Sequence, residues 1–355
     1  MEIKLTLVAA VFMLSINEIL SFEFYWNIPT FMCKSYDIYF TEITKKYSII
    51  LNQNDQFRGD IITILYDPGF FPAILQNSSS KEYFNRNGGI PQDGNLRAHL
   101  NQLEEHIDQL IPDKDFSGLA VIDFESWRPI FRQNFGVLQP YKNLSISRQK
   151  EKHPNMSDKK VLSEARRKFE EAGKIFMLES LWLSKELRPN AKWGYYAFPY
   201  CFNGRSTNNP EQCAANVNKE NNQIQWLFDE SDYIYPSVYI TESMPASNRI
   251  PMVRGRVREA LRVARQAYKS TKPKVYVYHR YVYTDSLNYI DEVETFNILH
   301  EIKRMEADGV ILWGSSYDLN SKEKCEEFYK YLNETLGPVV ASLQKTYTVK
   351  LEETN

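Results

Sequence analysis

Short apolar or aromatic runs alternate with charged segments of helical spacing along most of this 355-residue chain. Seven runs have the length and content of buried strands: 22–28, 60–66, 118–124, 192–198, 233–240, 274–280 and 309–313. Helical periodicity marks four of the segments between them: 95–110, 158–186, 251–269 and 292–307. This order predicts a parallel sheet with helices outside it, either closed as a barrel or open and doubly wound.

The loops favour the closed form. No GxGxxG or GK[ST] turn follows the first strand, which counts against a nucleotide-binding open sheet. One barrel accommodates a chain of this length. We therefore expect a single α/β domain over residues 22–340, a TIM-like (β/α) barrel of about seven to eight parallel strands, followed by a tail at 341–355. Segment 141–160 is polar and carries two sequons, so we expect an exposed loop there, and a last helix beyond residue 336.

Composition narrows the range of ligands. Aromatic residues make up 14% of the chain, including 23 Tyr, which suits sugar rings, although core packing accounts for them equally well. A formal net charge of -2 argues against a general nucleic-acid or anionic-membrane binder. The five His show no metal-ligand spacing, so we expect no metal site. Any polyanion needs a local basic groove, and the candidates for lining it, each also explicable as solvated surface, are Arg86, Arg128, Arg132, Arg256 and Arg280.

The amino terminus predicts secretion. Lys4 precedes an apolar run over 5–14, and Ser21 supplies a small residue, as in a signal peptide covering 1–21. This run is too short to span a bilayer, so we expect an extracellular protein without a membrane anchor. An oxidising compartment favours disulfides, and the four cysteines allow three pairings. Glycosylation sequons begin at Asn77, Asn143, Asn155 and Asn333.

Polar and aromatic residues follow the predicted strands where each one ends. In a β/α barrel the carboxyl ends of all strands meet at one mouth, where active sites are built. Residues remote in sequence would therefore share one groove. Closure also brings the first and last strands together, and with them Cys33 and Cys325.

Asp123 and Glu125 are the candidates for chemistry. They stand at positions i and i+2 at the end of a buried strand, so both side chains point to the same face. Two adjacent carboxylates do not both ionise readily, which leaves one general acid and one anion, as glycosidic cleavage requires. The competing interpretation is a DxE pair in a surface salt-bridge network.

The same spacing bears on mechanism. Neighbours on one strand approach a bond from one side, which makes a direct Asp nucleophile awkward. If the substrate carries a 2-acetamido group, its own oxygen can attack while Asp123 orients it and Glu125 donates the proton.

At these residues the chain resembles the hyaluronidases, especially those of insect venoms. The segment 121–135, VIDFESWRPIFRQNF, looks like the signature of that family. The resemblance covers nearly the whole mature chain and includes 24–33 FYWNIPTFMC, 66–69 YDPG, 86–92 RNGGIPQ, 193–196 WGYY, 199–203 PYCFN, 236–239 PSVY, 255–260 GRVREA and 313–316 WGSS. It implies a distorted β/α barrel and retaining endo-cleavage of hyaluronan at β-1,4 bonds after N-acetylglucosamine, without a cofactor. We expect a monomer.

The resemblance also assigns residues. Glu125 resembles the proton donor and Asp123 the acetamido-positioning residue. Around the N-acetyl group it implies Tyr196, Tyr239 and Trp313, and along the substrate groove Tyr66, Asp67, Ser315, Ser316 and Arg256. Its core disulfides correspond to Cys33 with Cys325 and Cys201 with Cys213.

Two departures from the family stand out. Ser126 replaces a usual Arg, and its side chain should point opposite to the carboxylates, so we expect effects on fold or stability. Segment 276–279, YVYH, is more Trp-rich in close relatives, which bears on the affinity of a sugar subsite. The alternatives are a catalytically silent glycan-binding or allergen-like relative, and a hydrolase that prefers chondroitin.

Overall fold

A computed structural model describes residues 22–204 and 209–344 of the chain. Its strands are β1 Glu23–Asn27, β2 Ile62–Tyr66, β3 Ala73–Gln76, β4 Tyr83–Arg86, β5 Leu119–Asp123, β6 Lys192–Tyr195, β7 Tyr233–Ile234, β8 Lys274–Arg280 and β9 Gly309–Trp313. The α-helices are α1 Thr41–Lys46, α2 Leu96–Leu110, α3 Gln139–Lys152, α4 Asp158–Leu187, α5 Ala215–Gln223, α6 Gln225–Glu230, α7 Ala246–Gln266, α8 Glu292–Arg304, α9 Lys322–Tyr331 and α10 Gly337–Gln344.

Parallel strands form a ring in two arcs. One arc has the order β1-β9-β8-β7 and the other β2-β5-β6. A parallel bridge between Tyr196 and Tyr235 joins β6 to β7, and the amide of Ala197 donates to the Tyr235 carbonyl at 2.9 Å. Each predicted strand lies on one of these parallel strands. The expected TIM-like α/β barrel is therefore confirmed.

The ring closes differently between β1 and β2, which in the described structure form no strand pair with each other. Ile50 lies between them, where its carbonyl accepts from Trp26 at 2.7 Å and its amide donates to Phe24 at 2.8 Å. The buried side chain of Asn52 completes the connection: Oδ1 accepts from the amides of Ile61 and Ile62, both at 2.8 Å, and Nδ2 donates to the Ile62 carbonyl at 2.9 Å. We call this junction the seam.

Two apolar layers hold the barrel together. The inner layer is rich in tyrosine and contains Ile64, Val121, Tyr235, Tyr278 and Ile311. A larger outer layer fills the space between strands and helices, as expected when strands are covered on both faces. Alternating residues of each strand serve the two layers in turn, which aims every second side chain into the barrel.

The helices correct two expectations. Segment 141–160 is not one loop, because α3 extends to Lys152. The buried face of α3 carries the polar residues Ser145 and Gln149, and Gln149 accepts a hydrogen bond from Lys168 of α4 at 2.9 Å. The sequence of this helix therefore lacks an apolar period. Helix α7 begins at Ala246, ahead of the expected start at 251, because Pro251 near the amino end of the helix interrupts few of its hydrogen bonds.

The antiparallel hairpin β3–β4 was not predicted. It follows β2, and its Tyr83 and Phe84 are exposed, so the pair lacks the alternation of a half-buried sheet.

Both disulfides implied by the resemblance form. Cys33, just after β1, bonds Cys325 of α9, and Cys201 bonds Cys213. Helix α10 occupies the region expected to hold the last helix and continues to residue 344. The expected signal peptide over 1–21 lies outside the described residues, as does most of the expected tail. None of the helices described here has the length and apolarity needed to cross a bilayer.

Candidate active site at the mouth of the barrel

Asp123 and Glu125 lie at the carboxyl end of β5, as the strand pattern predicted. Asp123 is the last residue of the strand and is half-buried, whereas Glu125 is exposed at the mouth. Phe124 between them points into the outer core, where its ring stacks on Phe71 with centroids 4.0 Å apart. This buried anchor turns the two carboxylates toward the opposite, inner side.

The surroundings of the pair favour protonated carboxyl groups. Burial, followed by the charges of Glu125 and Asp67, raises the pKa of Asp123 to about 8. Partial burial by the surrounding protein also raises the pKa of Glu125, and the positive charge of the nearby Arg128 guanidinium opposes that rise. In neutral solution the two groups therefore hold a proton between them, which is the property required of a general acid.

Arg128 is fixed beside Glu125 by an aromatic cluster. Its guanidinium carbon lies 4.4 Å from the ring centroid of Tyr200 and 5.1 Å from that of Phe202. Nη1 donates to the carbonyl of Gln133 at 2.7 Å. The cation is thus held in one place near the acid by contacts that a flexible surface arginine lacks.

Three aromatic residues, two that follow strands β6 and β7 and one that ends β9, form one wall of the mouth. Tyr196 follows β6, and its ring centroid lies 6.4 Å from that of Tyr239. Tyr239 in turn stacks on Trp313, at the end of β9, with centroids 5.8 Å apart. Stacked, half-buried rings of this kind present a flat apolar surface with polar tips.

On the neighbouring side, Tyr66 ends β2 and Asp67 follows it. The Tyr66 hydroxyl accepts a 2.9 Å hydrogen bond from Nε1 of Trp313. Asp67 forms a bidentate pair with Arg86 of β4, at 2.5 and 2.9 Å, and its amide donates to the Asp123 carbonyl at 2.7 Å. Tyr66 therefore faces the opening, whereas the Asp67 carboxylate is already paired with Arg86.

Ser315 and Ser316 open a short 3₁₀ turn, Ser316–Leu319, immediately after β9. Ser316 is exposed, and Ser315 caps the turn by accepting from the amide of Tyr317 at 3.3 Å. Asp318 accepts from the amide of Ser315 at 3.0 Å and from Arg280 at 2.8 and 2.9 Å. Arg280 is therefore committed to this turn, beside the Trp313 ring.

Arg256 approaches the site from α7. Its Nη1 donates to the Ser237 carbonyl at 2.9 Å and its Nε to Oδ1 of Asn203 at 3.2 Å. Burial lowers the pKa of its guanidinium, while the nearby Tyr196 hydroxyl opposes that shift. Its charge thus lies behind the aromatic wall.

Several sequence candidates lie elsewhere. Arg132 is paired with Glu220 of α5. In segment 276–279, the Tyr276 hydroxyl donates to Glu23 at the amino end of the barrel, and His279 is fully buried, with no partner for its ring nitrogens in the described structure. Tyr278 of the same segment lies under Tyr196 with ring centroids 5.1 Å apart, so the expectation that this segment bears on a sugar subsite stays a prediction. Burial raises the pKa of Tyr141, and the Ser126 side chain, within hydrogen-bonding reach of the Tyr141 hydroxyl, opposes that rise, which fits an outward direction of Ser126.

Some residues at the site were not anticipated. Arg58 lies over the Tyr66 ring, with its guanidinium carbon 5.5 Å from the centroid. Asp318 organises the turn after β9. Of these residues, only Asp318 could have been found from the sequence, because it lies soon after a predicted strand. Within 22–204 and 209–344, no three His, Cys, Asp or Glu side chains gather as a metal site.

Comparison with known proteins identifies a family for this arrangement. The model of the family described as hyaluronidase, a glycoside hydrolase family, matches residues 13–349. A hyaluronidase of Tabanus yao is 49% identical over 325 residues, which cover 92% of this chain and 93% of the relative. A hyaluronidase of Apis mellifera is 48% identical over 320 residues, 90% of this chain and 83% of the relative.

Solved structures agree with this result. Bee venom hyaluronidase in complex with a hyaluronic acid tetramer superposes with a TM-score of 0.88 at 47% identity, covering 91% of this chain and 100% of that one. A monoclinic crystal form of bee venom hyaluronidase gives a TM-score of 0.85 at the same identity, over 90% and 99% of the two chains.

Proposed function

Because this chain belongs to the hyaluronidase family of glycoside hydrolases, we propose that it hydrolyses hyaluronan internally, at β-1,4 bonds between N-acetylglucosamine and glucuronate. The observation that carries the proposal is the Asp123–Glu125 pair, which lies at the barrel mouth with both pKa values raised. A relative of similar sequence and fold binds a hyaluronic acid tetramer, which supports the same polymer as substrate here.

Glu125 serves as the acid in this scheme. It is the member of the pair that is exposed at the mouth, where a glycosidic oxygen can reach it, and its raised pKa favours the protonated form. Its proton passes to the leaving oxygen as the bond to the anomeric carbon breaks. The resulting carboxylate then removes a proton from the incoming water, which restores the acid.

Asp123 orients the acetamido group. Asp123 ends β5 and Glu125 stands two residues further on, so both carboxylates approach the sugar from one side, which makes a direct attack by Asp123 awkward. The acetamido oxygen therefore attacks the anomeric carbon and forms a cyclic oxazolinium ion, which water opens from the other side. Two inversions at one carbon give overall retention.

The wall of Tyr196, Tyr239 and Trp313 provides the surface against which the aminosugar packs. Further contacts along the groove come from Tyr66, Asp67, Ser315 and Ser316, while Arg256 lies behind the wall. Arg128 and Arg256 add positive charge near the wall, as a polyanionic substrate requires of a chain whose net charge is -2. We further propose that the chain is secreted and acts as a monomer.

Replacement of Glu125 with Gln tests the acid directly. Reducing-end release from hyaluronan should fall by about a hundred- to ten-thousandfold, since glutamine keeps the shape of the side chain but cannot supply the acid's proton. Asp123→Asn should also lose most turnover. Any product that it still releases should have the retained configuration. Glu82→Gln, an exposed change on the hairpin, is the matched control.

Three results would oppose the proposal. Full activity of Glu125→Gln would remove Glu125 from the mechanism. No release from hyaluronan by folded wild-type protein would favour a silent glycan-binding relative. Faster release from chondroitin than from hyaluronan would correct the substrate.

A further inference from the structure

Two histidines of α2 hold the loop that follows β2. The backbone amide of Gly69 donates to Nδ1 of His106 at 2.9 Å, and the next amide, that of Phe70, donates to Nδ1 of His99 at 2.9 Å. On the far side of its ring, Nε2 of His99 lies 2.7 Å from Oγ of Ser180 on α4. Consecutive amides of one loop therefore end on two imidazoles of one helix.

These contacts require neutral imidazoles. Each Nδ1 accepts a proton from a backbone N–H, so it cannot carry one of its own, and the ring proton must lie on Nε2. Protonation of either ring places two donors face to face and breaks the contact. The loop is thus attached through groups that acid converts from acceptors to donors.

The loop needs such attachment because its backbone is unusual. Asp67 has φ 45° and Gly69 has φ 76°, both in the left-handed region. A Cβ on Gly69 would lie 2.6 Å from Cε1 of His99, so the loop packs directly on that ring. Strained backbone persists only where neighbouring groups hold it, and here the two histidines do so.

What the loop carries connects it to the chemistry. Tyr66, just before it, binds the Trp313 indole, and the amide of Asp67 donates to the Asp123 carbonyl at 2.7 Å. A shift of the loop therefore moves one side of the mouth relative to the other. We propose that His99 and His106 are positioning residues that hold the Tyr66–Asp67 side of the mouth in place for substrate. This rests on the proposed function.

The two rings differ in burial. His99 is fully buried against Phe71 and Phe176, and burial, followed by the charges of Arg86 and His106, lowers its pKa to about 3. Arg86 of β4, which pairs with Asp67, and Ser180 of α4 lie beside this ring. His106 is half-buried, so its substitution disturbs less of the core than substitution of His99.

Two substitutions at His106 separate positioning from simple stability. Asparagine places Oδ1 about where Nδ1 stands and does not titrate, so His106→Asn retains the acceptor, whereas His106→Leu removes it. For His106→Leu we expect KM for hyaluronan to rise about three- to tenfold, with kcat changed less, as when one buried amide loses its partner. His106→Asn should keep the wild-type KM, because the acceptor for the Gly69 amide is retained.

Amide hydrogen exchange of peptide 66–71 supplies a readout that does not depend on activity. His106→Leu should speed exchange of the Gly69 amide at least about tenfold, and His106→Asn should leave it slow. Unchanged exchange and unchanged KM in His106→Leu would overturn the proposal. So would a KM in His106→Asn that rises as much as in His106→Leu. If the wild type releases nothing from hyaluronan, the proposed function fails, and the exchange comparison alone decides whether His106 holds the loop.

Discussion

Nε1 of Trp313 donates a 2.9 Å hydrogen bond to the hydroxyl of Tyr66, although the two residues are 247 positions apart. Trp313 ends β9 and Tyr66 ends β2, so this bond connects the two arcs of the barrel across the mouth. The indole ring also stacks on Tyr239. The Tyr66 hydroxyl therefore fixes the orientation of the Trp313 indole, and we propose that the sugar packs against this ring.

Tyr66→Phe should lower kcat/KM for hyaluronan about three- to tenfold, because the Trp313 indole loses its acceptor and its fixed orientation. Steady-state kinetics on size-defined hyaluronan provides the measurement. Tyr268→Phe is the matched control, since it removes an exposed hydroxyl that bonds Glu230 at 2.9 Å away from the mouth. Equal loss in the two variants would contradict a specific role for Tyr66.

Arg128→Met should move the basic limb of the pH–activity profile to higher pH. The Arg128 guanidinium lowers the pKa of Glu125, so its removal raises that pKa, and the acid keeps its proton further into alkaline solution. The profile of kcat/KM against pH measures the shift. Arg167→Met on α4, where Arg167 pairs with Glu164 and Glu171, changes net charge equally and should not move the limb. A limb shifted to lower pH would refute the assignment.

Loss of the Cys33–Cys325 bond should destabilise the fold more than loss of Cys201–Cys213. The first closes 292 residues and the second 12. Loop-closure entropy then predicts a difference of roughly 3 kcal/mol in the free energy of unfolding between the two double Cys→Ser variants. Urea unfolding of each variant measures it. An equal or reversed order would indicate that local contacts around Cys201 and Cys213 outweigh chain entropy.

Asp55 should make stability depend on pH. Burial raises its pKa from 3.8 to about 6, while its Oδ1 accepts from Thr30 at 2.7 Å. A raised pKa gives stability that is complete below about pH 4 and is lost as pH rises through about 6. Asp55→Asn should therefore be more stable than wild type at pH 7 to 8, by up to about 3 kcal/mol, with the gain vanishing near pH 4.

Thermal and urea unfolding from pH 4 to 8 would measure this effect of Asp55. Asp115→Asn, at an exposed carboxyl, is the control and should follow the wild type. A constant difference between Asp55→Asn and wild type across the range would contradict the titration.

Residue patterns predicted the parallel strands because each is a short apolar run between charged helices, the strongest periodic signal in the chain. They also predicted the placement of Asp123 and Glu125, since a strand end in a barrel has only one mouth to face. Helix α3 escaped prediction because Ser145 and Gln149 bury polar side chains. A helix that buries polar side chains lacks the apolar period by which a helix is predicted from its sequence.

Other features depend on contacts that leave no local signal. The pairing of Asp67 with Arg86 joins residues whose relation is set by the hairpin, and the attachment of Gly69 to His106 uses a backbone amide that any residue but proline supplies. In the sequence, His99 and His106 were merely two scattered histidines. Long-range partners of this kind become visible only when the chain is folded.

The seam between β1 and β2 makes one side chain responsible for what backbone does elsewhere in the ring. Ladder hydrogen bonds survive almost any substitution, because every residue except proline brings the same amide. At the seam the amides of Ile61 and Ile62 instead depend on the Asn52 carboxamide. Mutational tolerance is therefore uneven around the barrel, and a single substitution at position 52 removes the hydrogen bonds that connect β2 to the segment after β1.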